Sequence, residues 1–166
     1  MGCDIHMYVE YRPNKTWGSD SWQSFNDRIN PGRDYHLFGL LAGVRGGTAI
    51  IEPRGLPSDL GYYSKADNYL YISDDIDGCA TLEKAKLWNK EYGCKIIDDA
   101  QGKPFKVEHP DWHSHSWLTL EEFENVLTTA EKNDEYGVDI QYWALLDAMK
   151  RLATVGDVRV VFWFDN

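Results

Sequence analysis

Cysteine is scarce and odd in number. Cys3, Cys79 and Cys94 lack the spacing of a disulfide framework or a metal knuckle, so this 166-residue chain must hold itself by an ordinary core, with its thiols buried in a reducing compartment. Long apolar runs are missing as well. None approaches the roughly 20 residues that span a bilayer, and Met1-Gly2 runs straight into a strand pattern without a signal-peptide h-region. Position 6 is His where a myristoylation motif wants Ser or Thr, so no membrane partner is expected. Positive charge is in deficit. With 17 basic against 27 acidic residues, a net charge of −10 and a pI near 4.8, the chain repels a polyphosphate backbone, which argues against long nucleic acid. There is no Gly-X-Gly-X-X-Gly, Walker sequence or nucleophile elbow, the usual marks of dinucleotide enzymes, NTPases and α/β-hydrolases. Ser73 to Gly78 imitates a calcium loop, but it begins with Ser and has Lys84 where the bidentate Glu belongs.

Aromatic side chains are plentiful, at 14% with seven Trp and ten Tyr. Many lie in polar stretches such as 15–22 and 111–117, where they are candidates for stacking surfaces as well as for lids on a core. The two ends read as strands. Cys3, Ile5, Met7, Val9 and Tyr11 alternate with Asp4, His6, Tyr8 and Glu10, and Val158, Val160, Phe162 and Phe164 alternate with Arg159, Val161, Trp163 and Asp165. Successive strand side chains point to opposite faces, so each end has an apolar face and a chemical one.

Between the ends, Arg12 to Lys15 reads as a turn into a second strand around 16–25. Asp34 caps a short, well-buried helix over 34–44, with His36 packed inside it. The Tyr-rich stretch 61–78 reads as irregular or hairpin. A helix over 81–92 closes at Gly93, and a small hairpin surrounds Gly102. Thr119-Leu-Glu-Glu122 is a capping box that starts a helix over 120–130. Helical spacing over 139–153 buries Ile140, Trp143, Leu146, Met149 and Leu152. The pattern predicts one α+β domain over 1–166: a mostly antiparallel sheet containing both terminal strands, with three or four helices packed mainly on one face.

His6 sits in the first strand, and His109, His113 and His115 sit in what reads as one loop before the capping box. Asp4, His6, His113 and His115 could ligate a divalent metal such as Zn or Mn. They could equally act as an acid and base without metal. The spacing leaves both open.

Beyond the terminal strands, the blocks Gly32-Arg-Asp-Tyr35, Leu37-Phe38, Val44-Arg45, Pro53-Arg-Gly-Leu-Pro57 with Asp59, and His113-Ser-His-Ser-Trp-Leu-Thr-Leu120 are distinctive. With Met-Gly-Cys-Asp-Ile-His at one end and Val-Arg-Val-Val-Phe-Trp-Phe-Asp-Asn at the other, the chain resembles a family of small proteins widespread in tailed bacteriophages, which vary in length across about 60–110. The resemblance implies a phage origin and the cytoplasm of an infected bacterium, and it leaves the activity to the residues. The shared blocks supply Arg33, Tyr35, Arg45, Arg54, Trp117, Arg159, Trp163 and Asp165 as candidate ligand contacts. Guanidinium forks pair with phosphate and rings stack on bases. The expected function is counter-defence by sequestering a small nucleotide-derived immune signal, a cyclic oligonucleotide or an ADP-ribose derivative. The alternatives are a His/Asp-dependent phosphodiesterase cleaving such a signal, with Asp4, His6, His113 and His115 as its catalytic groups, and a protein inhibitor of a host defence enzyme. A homo-oligomer is compatible with each.

Overall fold

A computed structural model describes residues 2–13, 21–25 and 27–166. The elements run β1 (Ile5–Pro13), β2 (Gln23–Ser24), α1 (Tyr35–Ala42), α2 (Tyr62–Asp67), β3 (Tyr69–Tyr71), α3 (Leu82–Tyr92), β4 (Ile96–Asp98), β5 (Pro104–Glu108), β6 (His113–Thr119), α4 (Leu120–Asn133), α5 (Ile140–Leu152) and β7 (Gly156–Phe164). The fold is α+β. The chain divides into two compact units, Met1–Ser64 with His113–Asn166, and Lys65–Trp112.

The larger unit is built on an antiparallel sheet of order β2-β1-β7-β6. The terminal strands are neighbours at its centre, with Ile5 opposite Phe164 and Val9 opposite Val160. Ile5, Met7, Val9, Leu118, Val160, Phe162 and Phe164 turn one face towards Phe38 and Leu41 of α1, Phe123 and Leu127 of α4, and Leu146 and Met149 of α5. Each such side chain contributes about 1.5–3 kcal/mol by leaving water. The expected second strand is seen only as Gln23–Ser24, with residues 21, 22 and 25 outside it; residues 16–20, and the turn through Asn14 and Lys15, fall outside the described residues.

The helix ends follow the local chemistry. Asp34 accepts from the Leu37 amide at 2.8 Å, and Gly43, in left-handed conformation at φ 69°, closes α1 by donating its amide to the Gly39 carbonyl. Thr119 and Glu122 form the expected capping box of α4.

Three local expectations are corrected. His36 is exposed rather than packed, because the buried stripe of α1 runs through Leu37, Phe38 and Leu41. In α5 the buried residues are Tyr142, Leu145, Leu146 and Met149, and Ile140 is 75% exposed. Tyr142 sets that phase, since its ring is fully buried while its hydroxyl donates to the Gly32 carbonyl at 3.1 Å. Finally, residues 62–67 form helix α2 rather than a hairpin; its Ser64 hydroxyl is held by Glu10 at 2.6 Å.

The smaller unit has an antiparallel sheet of order β3-β5-β4, which includes the expected hairpin around Gly102. Its core joins Ala80, Ala85, Cys94 and Val107 to Leu70, Ile72, Trp88 and Ile96. Thr81 caps α3 and Gly93 ends it. No helix among the described residues is long and apolar enough to cross a membrane.

Candidate functional site

The chemical face of the central sheet is a grid, fixed by the register of three strands. His6 of β1 lies opposite Trp163 of β7, and the His115 ring of β6 lies 6.1 Å from Trp163 on its other flank. Tyr8, Val161 and Trp117 make the next row, and Glu10, Arg159 and Thr119 the third. Most of this grid is buried. His6, Tyr8, Glu10, Arg159, Val161 and Trp163 are each at most 5% exposed. The segment that crosses it includes Arg54, Asp59 and Gly61, each bonded to a sheet residue or its helix.

At the first row, His6 Nε2 meets Asp165 Oδ2 at 2.8 Å. Asp165 Oδ1 accepts from the Asp4 amide at 2.9 Å, and Asp165 returns its own amide to the Asp4 carbonyl at 3.1 Å. Asp4 in turn receives Arg33 in bidentate fashion at 2.6 and 3.0 Å, which holds its carboxyl below the usual range. The His115 ring has no hydrogen-bond partner within the protein among the described residues, while its backbone carbonyl accepts from the Gly55 amide at 3.0 Å. Burial, then the neighbouring His113, lowers its pKa to about 4, so it is neutral at physiological pH.

His113 and His115 were read as one loop, but they belong to β6 and part company at a bulge between His113 and Ser116. Ser114 takes φ 52° there. His113 therefore pairs opposite Phe164 on the helix side and stacks on its ring at 6.2 Å. Its Nδ1 meets the Ser114 hydroxyl at 3.0 Å, while Nε2 is buried without a partner. The four candidate metal ligands Asp4, His6, His113 and His115 are thus not gathered as one set. Among the described residues, no three of His, Cys, Asp and Glu are grouped to hold an ion.

Four residues along β1, roughly 13 Å away at strand rise, lies the third row. Arg159 donates from Nε to Glu10 Oε2 at 2.9 Å, from Nη1 to Asp59 Oδ1 at 2.8 Å and from Nη2 to the Asp59 carbonyl at 3.1 Å. The other Glu10 oxygen accepts from the Gly61 amide and the Ser64 hydroxyl. The Arg159 bond, foremost, holds Asp59 below the usual carboxylate range. Arg159 also lies over the Trp22 ring at 3.9 Å, with Arg12 over the same ring at 4.9 Å, and Trp22 Nε1 donates to Asp59 at 2.9 Å.

Beside this network is a cavity of about 750 Å³ whose wall includes Trp22, Trp117, Arg12, Arg159, Asp157 and Glu121. Arg54 lies over Trp117 at 4.7 Å and pairs with Glu122. Burial would raise the Glu122 carboxyl, but its bonds to Arg54 and Thr119 bring it below its ordinary value.

The remaining candidates adjoin the first row through Arg33, which grips Asp4. Arg33 and Tyr35 border a depression of about 450 Å³ with Asp34, Asp134 and Asp139. Arg45 lies over Tyr35 at 5.2 Å and bonds to the buried Cys3 thiol, whose pKa burial pushes up. The sequence candidates therefore occupy three places rather than one pocket. Sequence reasoning missed Glu10, Arg12, Trp22, Asp59, Glu121 and Asp157. Three of these gave a signal: Glu10 by sharing the strand face of Asp4 and His6, Trp22 by being a ring in a polar stretch, and Asp59 by accompanying the block Pro53–Pro57.

No family model, curated protein or solved structure matches this chain.

Proposed function

We propose that this protein binds a small nucleotide-type ligand in the cavity between Trp22 and Trp117. Taken with the resemblance to phage proteins, it acts as a counter-defence sponge for a nucleotide-derived immune signal. The observation that carries the reading is the cavity itself. At about 750 Å³ it falls within the 300–1,000 Å³ usual for small-molecule sites, and its wall combines indoles, guanidinium groups and carboxylates with apolar Pro57, Leu120 and Val158. Rings and guanidinium planes favour a base, while carboxylates and the start of a helix offer partners to hydroxyls and a phosphate.

Purified protein is incubated with a panel of cyclic oligonucleotides and ADP-ribose derivatives, and the supernatant is assayed before and after heat denaturation. Depletion followed by recovery of intact ligand supports sequestration. No depletion by any member sinks the reading and favours a protein partner.

Hydrolysis is the second reading, and one arrangement favours it. The His6–Asp165 pair and the neutral His115 flank Trp163, as an acid and a base would. Recovery of a converted ligand would favour this reading over sequestration.

A further inference from the structure

The charge of the cavity wall narrows the ligand beyond its size. Among the described residues that line it, two cations, Arg12 and Arg159, face three anions, Asp59, Glu121 and Asp157, a formal −1. Neither cation is open to a phosphate. Arg12 grips Asp157 through Nε at 3.2 Å and Nη2 at 2.7 Å, and Arg159 is divided between buried Glu10 and Asp59. Trp22 and Trp117 already carry guanidinium groups on their rings. What is left uncommitted is mostly acceptor. The exposed Glu121 carboxylate has no protein partner among the described residues, and Asp157 uses only Oδ2 towards Arg12. Carboxylates accept from ribose hydroxyls and base amino groups, and they repel phosphate.

Resting on the binding reading above, we infer that the cavity selects the nucleoside portion of its ligand, through ribose hydroxyls and base N–H groups on Glu121 and Asp157. It therefore favours ligands with free ribose diols, such as ADP-ribose derivatives, over cyclic oligonucleotides, whose linkages place a phosphate on every sugar.

The test is calorimetry with adenosine, AMP, ADP, 2′,3′-dideoxyadenosine and cyclic di-AMP. Adenosine should bind at least as tightly as AMP and ADP, and loss of both hydroxyls should weaken binding about tenfold or more, as expected when carboxylates lose their partners. Affinity for adenosine should change less than about twofold between roughly 50 and 300 mM salt. Glu121→Lys, which leaves the Thr119–Glu122 capping box intact, should reverse the order so that ADP binds more tightly than adenosine. Affinity rising about tenfold with each phosphate, or cyclic di-AMP binding more tightly than adenosine, would overturn the inference while leaving the binding reading standing. Failure of all five compounds to bind would remove both together.

Discussion

Glu10 and Arg159 stand opposite each other in the antiparallel register of β1 and β7 and close an ion pair at 2.8 Å in which neither side chain is more than 5% exposed. A pair this deep is held by its further bonds, to Asp59, Gly61 and Ser64, and losing one partner strands a charge where water cannot reach it.

Arg159→Ala should therefore cost about 3–5 kcal/mol of stability, far more than an exposed arginine would. Urea unfolding of the parent and of the Glu10→Met/Arg159→Met double variant decides it. The double variant should be the more stable of the two variants, because no buried charge is left unpaired and the Asp59 side chain, half exposed, keeps its water; a loss below about 1 kcal/mol in the single variant would show the network to be unimportant.

Thr119→Ala removes the hydroxyl that accepts from the Glu122 amide at the start of α4. A drop of about 0.5–2 kcal/mol is expected, read as a lower thermal midpoint. Since Thr119 also lines the cavity, ligand affinity should fall in the same variant.

Acid should weaken the fold through His115. Its folded pKa, near 4, lies below the unfolded value near 6.5, so the unfolded chain takes up the proton first. Stability is then complete above about pH 6.5, declines as pH falls through the window from 6.5 to 4, and levels off beneath it. Between pH 7 and 4.5 the loss from this group is about 2 kcal/mol. Asp4 and Asp59, whose values are lowered from 3.8, lose their contributions only at still lower pH. Denaturation curves of His115→Gln should lack most of the decline in the upper window; an unchanged decline assigns it to another group.

His6→Gln and His115→Gln separate holding from cleaving, because both residues lie on the Trp163 row and neither lines the cavity. Ligand retention should persist in both variants, as judged by equilibrium dialysis. Any conversion of ligand by the parent protein should disappear in both.

The parts of this fold that were legible in the sequence are those set by neighbours along the chain. Alternation at the two ends gave the apolar face of β1 and β7, and the Thr119–Glu122 spacing gave the start of α4. The helix phase in α5 was missed because Tyr142 reads as an amphipathic residue, and only its distant bond to Gly32 makes it core. The site was less legible for the same reason. Nothing near Arg159 in sequence announces Asp59 or Trp22, and the split between His113 and His115 depends on one bulge residue, Ser114, where an unbroken strand would have put both on one face.

The central pairing of β1 with β7 also bears on how quickly this protein reaches its native state. Ile5 and Phe164 are partners across nearly the whole length of the chain, so the middle of the sheet depends on closing the largest loop the sequence allows. Contacts of such long range slow the search. The helices α4 and α5, which contact each other locally, can dock early and offer β7 an apolar surface, whereas β1, which has only the short β2 close by in sequence, must wait for β7 more than 140 residues away. Until then the edge of β1 that β7 covers is unpaired, and refolding at high protein concentration should lose material to aggregation at that stage.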